Sequence, residues 1–363
     1  MNSNITNVKL ADIADLDIPD PIIFLISYIL PPIAFLGIFF NIMILLFLPQ
    51  NSVLLSKTTK TYYITIAIGD LLSIFAFNIF WVFFHDSLSY ITSGAFSIEL
   101  VASSLGCKIL YNSWANAEAL ANYTAIAMSI EQIIALYFPL KARAFLSKKL
   151  TLLLIVLCVL PIWLTLTTIN LRVDLIQTPG LGPDGDSCGY NVKDDWFLIS
   201  TYTQVFVAWC LPEILHIFGG SLICLKLFAM RTERKQLFQS IANSDFSNKT
   251  RELNATIIIL LVIFSRIVIY FPVAIMTINY YVINLSVFMD YLDLDWEEDL
   301  QSQLDTIKFI VTLGGFTRLF LELTSITHSI NFCIYFYRVT SFRHSLFSFF
   351  TCQRKLQEEF VHR

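Results

Sequence analysis

Seven long apolar stretches are the feature that most constrains how this chain can fold. A helix needs about 20 residues to cross the hydrocarbon core of a bilayer, and each stretch is long enough to do so. The third has the lowest hydropathy because several polar residues lie in it, but its apolar residues still predict a helix, buried among the others. The sequence therefore predicts an all-α membrane protein, a seven-transmembrane helix bundle. We place the helices at residues 21–49, 60–84, 105–137, 150–171, 197–229, 253–283 and 306–337.

The composition excludes a soluble globular domain. Hydrophobic residues account for 56% of the 363 residues and charged residues for 14%, whereas a soluble domain usually has about 25% charged residues. The polar residues 1–20 do not resemble a cleavable signal peptide. We therefore expect the first helix to act as the insertion signal.

The distribution of basic residues predicts the orientation. Of the 24 Lys and Arg residues, 17 lie on the side that holds the loops after the first, third and fifth helices and the C-terminal tail. Basic residues collect on the cytoplasmic side of membrane proteins. We therefore expect an extracellular segment at 1–20, a membrane domain at 21–337 and a cytoplasmic tail at 338–363.

The outer side is correspondingly acidic. It holds 18 carboxylates against five basic residues, and six of the carboxylates lie in the loop 290–299. Acidic residues contribute little to topology, so the excess has two interpretations. It is either a solvated surface or a field that attracts a cationic ligand.

Two cysteines lie on the predicted outer side. Cys107 opens the third helix, and Cys188 lies in the long loop between the fourth and fifth helices. A thiol pair outside the cell can be oxidised. We expect a disulfide between Cys107 and Cys188 that holds this loop over the mouth of the bundle.

The termini carry candidate modification sites. Asn4 begins an outer glycosylation sequon, and Asn284 begins a second one close to the bilayer. After residue 338, apolar side chains recur with helical spacing, which predicts a short amphipathic helix on the cytoplasmic membrane surface. These residues are Phe342, Leu346, Phe349 and Phe350, with Arg343 among the polar positions. Cys352 follows them and is either palmitoylated or an unmodified thiol.

Several polar side chains lie inside the predicted helices, where they are expected to face the bundle interior. This predicted polar core consists of Asn41, Asp70, Asn122, Glu213, Arg266 and Asn331. Arg266 is the most unusual member, because an unpaired charge within a membrane helix is costly. We expect it to pair with Glu213 or Glu118; the alternative is that it reaches a water-filled inner cavity and contacts neither.

Ordered motifs on successive helices give a more specific indication. They are Gly37 with Asn41, Asp70, Cys107, Glu131 with the following 135–140, Pro212, Pro272, and the stretch 329–335 with Asn331 and Tyr335. Over about residues 21–352 this set resembles the rhodopsin-like family of G-protein-coupled receptors. The Asn-Phe-x-x-Tyr form of the last motif is similar to invertebrate FMRFamide-type peptide receptors and to the related nematode chemoreceptors.

The resemblance implies a multi-pass receptor of the plasma membrane that is not an enzyme. Its partners would be an extracellular peptide or small-molecule ligand, a heterotrimeric G protein and the lipid bilayer, with no nucleic acid, cofactor or metal ion. We favour a short cationic neuropeptide as the ligand, and the alternative ligand is an odorant-like small molecule. The less favoured alternative to a receptor is a membrane transporter. The candidate ligand-pocket residues are Tyr111, Trp114, Glu118, Tyr270, Arg318 and Glu322.

The chain departs from the family pattern at the predicted cytoplasmic switch. This switch consists of Glu131, Gln132 and Tyr335, and Gln132 stands where the family has an arginine. A glutamine side chain lacks the permanent charge and the five donors of a guanidinium. We therefore expect activation by the usual latch to be altered.

Overall fold

The computed structural model describes residues 20–49, 56–92, 103–140, 142, 147–177, 186–190, 196–238, 246–293, 300–338, 342–343 and 346–347. Most of these residues are helical, and they form seven long helices in chain order. Three of the helices, α1, α2 and α5, contain a π-helical segment in addition to regular α-helix. The first three helices are α1 (Asp20–Phe24, Leu25–Ile29 and Leu30–Phe47), α2 (Lys57–Ser73, Ile74–Ser87 and Leu88–Ile91) and α3 (Ser104–Tyr137). The other four are α4 (Lys148–Asn170), α5 (Phe197–Val205, Phe206–Cys210 and Leu211–Phe238), α6 (Phe246–Asp293) and α7 (Leu300–Arg338).

Serine caps explain where three of these helices begin. The side chains of Ser56, Ser103 and Ser147 each accept a hydrogen bond from the backbone N–H three residues later, at 3.0, 3.0 and 3.4 Å. Such a cap satisfies one of the N–H groups that have no partner within the helix. The polar boundaries of α2, α3 and α4 are therefore encoded locally.

Six helices in the described part of the chain are long and apolar enough to cross a membrane. They are Pro21–Phe47, Lys57–Phe84, Ser104–Tyr137, Lys148–Asn170, Phe197–Met230 and Thr256–Asn279. These spans indicate a multi-pass membrane protein in a lipid bilayer.

The seventh helix, α7, does not meet this criterion over its described residues. Among the six spans α3 has the lowest mean hydropathy, as the sequence predicted. Arg318, Glu322 and His328 lie in α7 together with several Ser and Thr residues. These polar side chains lower its hydropathy, and most of them are buried against the other helices.

A two-stranded antiparallel sheet between α4 and α5 departs from the purely helical prediction. Its strands are β1 (Val173–Gln177) and β2 (Asp186–Tyr190), and their register places Leu175 opposite Cys188. Hydropathy gave no signal for the hairpin because each strand has only five residues.

Small residues allow α3 to occupy the centre of the bundle. From residue 114 to residue 129 nearly every side chain of α3 is buried, and many of them are alanines. A Cβ atom at Gly69 of α2 would lie 2.8 Å from the backbone nitrogen of Ala121, so glycine is required for this close approach of α2 and α3. The prediction that the third helix is buried among the others is confirmed.

Large apolar side chains cover the outside of the bundle. Examples from five helices are Leu36, Leu72, Leu157, Phe218 and Phe264, each more than half exposed. Exposed apolar surface on this scale is costly in water and favourable in lipid. The described helices therefore have the lipid-facing exterior that a bilayer requires.

Some predictions fall outside the described residues. The predicted amphipathic helix is described only at 342–343 and 346–347, where Phe342 and Leu346 are buried and the Phe342 ring lies 5.6 Å from that of Phe332. Phe349, Phe350, Cys352 and Asn4 lie outside the described residues, as do most of the acidic outer loop and the side chain of Asn284.

Candidate functional site

Asp70 of α2 is the centre of a buried polar cluster. Its Oδ1 atom lies 3.1 Å from Nη2 of Arg266, and its Oδ2 atom accepts a hydrogen bond of 2.7 Å from the side-chain amide of Asn331. Asn122 of α3 accepts a second hydrogen bond from the Arg266 guanidinium. Four of the six residues of the predicted polar core thus meet at one point, brought together from α2, α3, α6 and α7.

The expected carboxylate partner of Arg266 was wrong. Within the described residues its ion pair is with Asp70, and neither Glu118 nor Glu213 lies within ion-pair distance. The alternative of an inner aqueous cavity is also wrong, because the Arg266 side chain has no exposed area. The physical reason is that Gly69 lets α2 pack closely on α3, which places Asp70 and Asn122 together on the side of α6 where Arg266 lies.

Glu213 lies apart from this cluster on α5. It is 2% exposed, and its nearest charged neighbour is His216 one turn later, with Oε1 and Nδ1 separated by 3.5 Å. The polar atoms of these two side chains make no hydrogen bond within the described part of the chain. Glu213 is therefore buried, as predicted, but it does not belong to the polar cluster around Asp70.

His328 of α7 joins the cluster and was not identified from the sequence. Its Nδ1 lies 2.7 Å from Oδ1 of Asp70, and its Nε2 lies 3.0 Å from Oε1 of Glu118. The available signal was its spacing, since His328 precedes Asn331 by three residues and therefore shares its helix face. The histidine bridges carboxylates from α2 and α3.

Glu118 belongs to the same buried cluster rather than to an outer pocket. It is 3% exposed. The hydroxyl of Ser73 donates to its Oε1 atom, and the hydroxyl of Tyr270 donates to its Oε2 atom, each at 2.7 Å. Glu118 and Tyr270, both expected to line the ligand pocket, are thus held by contacts inside the bundle.

Asn41 connects α1 to the cluster through the backbone. Its side-chain amide donates hydrogen bonds of 2.9 Å to the carbonyl oxygens of Gly37 and His328. A Cβ atom at Gly37 would lie 2.6 Å from the hydroxyl oxygen of Ser329, so α1 and α7 touch at this level. We call the set Asn41, Ser73, Asp70, Glu118, Asn122, Arg266, Tyr270, His328 and Asn331 the central cluster.

Aromatic rings form a continuous column that ends on the central cluster. The ring centroids of Tyr111 and Trp114 lie 5.7 Å apart, and those of Trp114 and Trp209 lie 6.0 Å apart. Trp209 stacks on Tyr270 at 5.9 Å, and Tyr270 lies edge-on to His328 at 6.4 Å. Contacts of this kind provide a packed connection from the N-terminal half of α3 to the charged centre.

The two remaining pocket candidates form an ion pair along α7. Nε of Arg318 lies 3.2 Å from Oε1 of Glu322, one helical turn away. The Glu322 side chain is fully buried, whereas that of Arg318 is 31% exposed. The pair therefore reaches from the bundle interior towards its surface.

A second polar group lies at the predicted cytoplasmic end. Oε2 of Glu131 accepts hydrogen bonds from Tyr62 of α2 at 2.8 Å and Thr151 of α4 at 2.9 Å. The side-chain amide of Gln132 donates to the hydroxyl of Thr256 on α6 at 2.7 Å. Gln132 thus makes a neutral side-chain link between α3 and α6.

Tyr335 completes the predicted switch residues. Its ring centroid lies 4.6 Å from that of Tyr63, and the phenol makes no hydrogen bond within the described part of the chain. Tyr335 and Glu131 therefore contact adjacent residues of α2, Tyr63 and Tyr62 respectively.

Cys107 is fully buried and packs against Val173 of β1. The free cysteines of the described residues are Cys158, Cys210, Cys224 and Cys333, and Cys107 is not among them. Cys188 lies in β2, the partner strand of β1. The placement suits the expected bond between Cys107 and Cys188, and peptide mapping under non-reducing conditions remains its test.

Within the described residues, no group of three or more His, Cys, Asp or Glu side chains is arranged to hold a metal ion. A comparison of the sequence with protein-family models gives no match, and a comparison with curated proteins gives none either. We therefore infer function from the motifs and from the geometry of their residues.

Proposed function

We propose that this chain is a rhodopsin-like receptor that crosses the plasma membrane seven times, with its N-terminus outside, and reports an extracellular ligand to a heterotrimeric G protein. The observation that carries the proposal is the convergence of the motif residues of several helices on one buried cluster. Asn331 of α7 donates a hydrogen bond to Asp70 of α2, which also contacts the His328 ring. Asn41 of α1 donates to the backbone oxygen of His328. Such a connection ties together the helices that a receptor must rearrange.

The mechanism is a shift between two bundle arrangements. A ligand in the outer half favours one of them in proportion to its differential affinity. The aromatic column leads from Tyr111 and Trp114 to the central cluster. A displacement of these rings would change the packing around Tyr270 and His328, and the Gln132 to Thr256 link is positioned to respond at the other end.

We propose a short cationic neuropeptide as the ligand, because the outer loops carry the excess of carboxylates. The second candidate is a small odorant-like molecule, which the buried aromatic column favours. The dependence of ligand association on ionic strength distinguishes the two candidate ligands. Exposed charges are screened beyond about 8–10 Å near physiological salt, so association of a cationic peptide slows as salt rises, and that of a neutral molecule does not.

Cells that express the chain provide the test. A panel of neuropeptides and odorants is applied, calcium and cAMP are measured, and Gln132→Arg is compared with the wild type at matched surface expression. We expect a response to at least one ligand, and a changed basal or stimulated signal in Gln132→Arg, because arginine replaces a neutral link with a charge. If neither protein alters calcium or cAMP with any ligand, the receptor proposal fails; an unchanged Gln132→Arg response shows only that control lies elsewhere.

A further inference from the structure

Both ring nitrogens of His328 face carboxylate oxygens. Nδ1 lies 2.7 Å from Asp70 and Nε2 lies 3.0 Å from Glu118, and all three side chains are buried. A neutral imidazole has one N–H donor and one acceptor nitrogen, whereas an ionised carboxylate only accepts. A neutral ring between two ionised carboxylates would therefore leave one contact with no hydrogen.

Other donors already use both oxygens of each carboxylate. Arg266 and Asn331 donate to Oδ1 and Oδ2 of Asp70. Ser73 and Tyr270 donate to Oε1 and Oε2 of Glu118. Carboxylates surrounded in this way are acceptors, so the hydrogens of both histidine contacts belong on the His328 ring.

The net charge of the buried groups also favours a protonated His328 ring. Asp70 and Glu118 contribute two negative charges, and Arg266 contributes one positive charge. An imidazolium at His328 makes the four groups neutral together, whereas a neutral ring leaves a net negative charge in a fully buried site. Burial of an uncompensated charge is strongly unfavourable.

Ionisable side chains from several helices surround the His328 ring. The titratable groups that face the His328 ring are Asp70 from α2, Glu118 from α3 and the Tyr270 phenol from α6, with Arg266 of α6 behind Asp70. Asn41 of α1 contacts only the backbone oxygen of His328.

We propose that the bridge formed by Asp70, His328 and Glu118 is a proton-binding site, occupied in this arrangement of the bundle. The bound proton ties α7 to α2 and α3 through one ring. Any arrangement that moves α7 away from either carboxylate breaks a charge-assisted hydrogen bond and favours release of the proton. The proton is thus a co-ligand of this arrangement, whether or not the chain signals to a G protein.

The first test is the thermal midpoint of the purified full chain as a function of pH. A state that holds a proton is stabilised at low pH and loses that stability as pH rises. We expect the wild type to lose stability over a range that extends above about pH 5–8, where an ordinary histidine titrates. His328→Gln should have a flatter profile, and His216→Gln is the matched control, because His216 is equally buried but makes no hydrogen bond within the described residues. Equal pH profiles for the wild type and His328→Gln overturn the proposal.

The second test needs no variant of the cluster to fold. Ring-nitrogen NMR of isotope-labelled histidine in the wild type, with His216→Gln to identify one signal, reports which rings carry two protons. We expect one buried histidine to show imidazolium signals at neutral pH. A neutral ring accompanied by the infrared band of a protonated carboxyl group still shows a bound proton, whereas a neutral ring without that band overturns the proposal.

Discussion

Arg266 is a permanently charged side chain with no exposed area, and its partners therefore determine whether the bundle tolerates it. The ion pair with Asp70 and the hydrogen bond to Asn122 supply that compensation. Removal of one partner of a buried pair leaves an uncompensated charge and typically costs about 3–5 kcal/mol. The loss is much smaller when both partners are removed together.

A double-mutant cycle tests this pair. Arg266→Met and Asp70→Asn should each lower the thermal midpoint and the surface expression. The double variant should lose less than the sum of the two, as coupled neighbours do. Arg266→Met combined with Glu213→Gln is the control and should be close to additive, because Glu213 lies outside the cluster. Additive losses for Arg266 and Asp70 would show that they are not partners.

At the scale of single residues, the sequence correctly predicted that several polar side chains are buried, but it did not predict their contacts. Asp70, Asn122, Arg266 and Asn331 were expected inside the bundle because lipid excludes them. The choice between Asp70 and Glu213 as partner depends on the rotation of α6 and on a close approach of α2 to α3. Spacing along the chain does not encode either quantity. His328 was missed because its partners are distant in sequence.

The contact of α2 with α3 is the element-scale feature on which the central cluster depends. A Cβ atom at Gly69 would lie 2.8 Å from the Ala121 nitrogen and 3.1 Å from the Ala117 oxygen. These are backbone atoms of α3 and cannot rotate away. Any side chain at Gly69 must therefore separate the two helices, and with them Asp70 and Asn122.

Gly69→Ala should destabilise the protein in spite of the higher helix propensity of alanine. Overpacking of this kind typically costs about 1–3 kcal/mol, which the thermal midpoint of purified protein would register as a decrease. Gly219→Ala is the matched control, because its Cβ would lie 3.4 Å from the Ser129 Cβ, an ordinary contact. We expect it to be neutral or stabilising, since alanine is favoured over glycine in helices by about 1 kcal/mol. Equal effects of the two substitutions would contradict the close approach.

Hydropathy predicted the positions of the seven helices because each is a long local signal. It did not predict the hairpin of β1 and β2, whose strands are short and which lies against the N-terminal end of α3 through Val173 and Cys107. The seventh crossing, by α7, remains a prediction. The polar face of α7 is stabilised by partners on other helices, and a single-helix criterion does not register such compensation.

At the scale of the whole molecule, the number of crossings decides which groups share a side of the membrane. Six of the described helices are long and apolar enough to cross a membrane, and α7 packs against them through His328 and Asn331. Seven crossings would place the basic loops and the tail together on the cytoplasmic side, with the acidic loops and the N-terminus outside. The receptor proposal requires that arrangement, because ligand and G protein must meet opposite faces.

Epitope labelling of the two termini tests the arrangement most directly. One tag is placed before residue 20 and another after residue 350, and antibody binding is compared between intact and permeabilised cells. Seven crossings predict that the N-terminal tag is labelled in intact cells and the C-terminal tag only after permeabilisation. Labelling of both tags in intact cells, or of neither, would place the termini on one side and contradict the account.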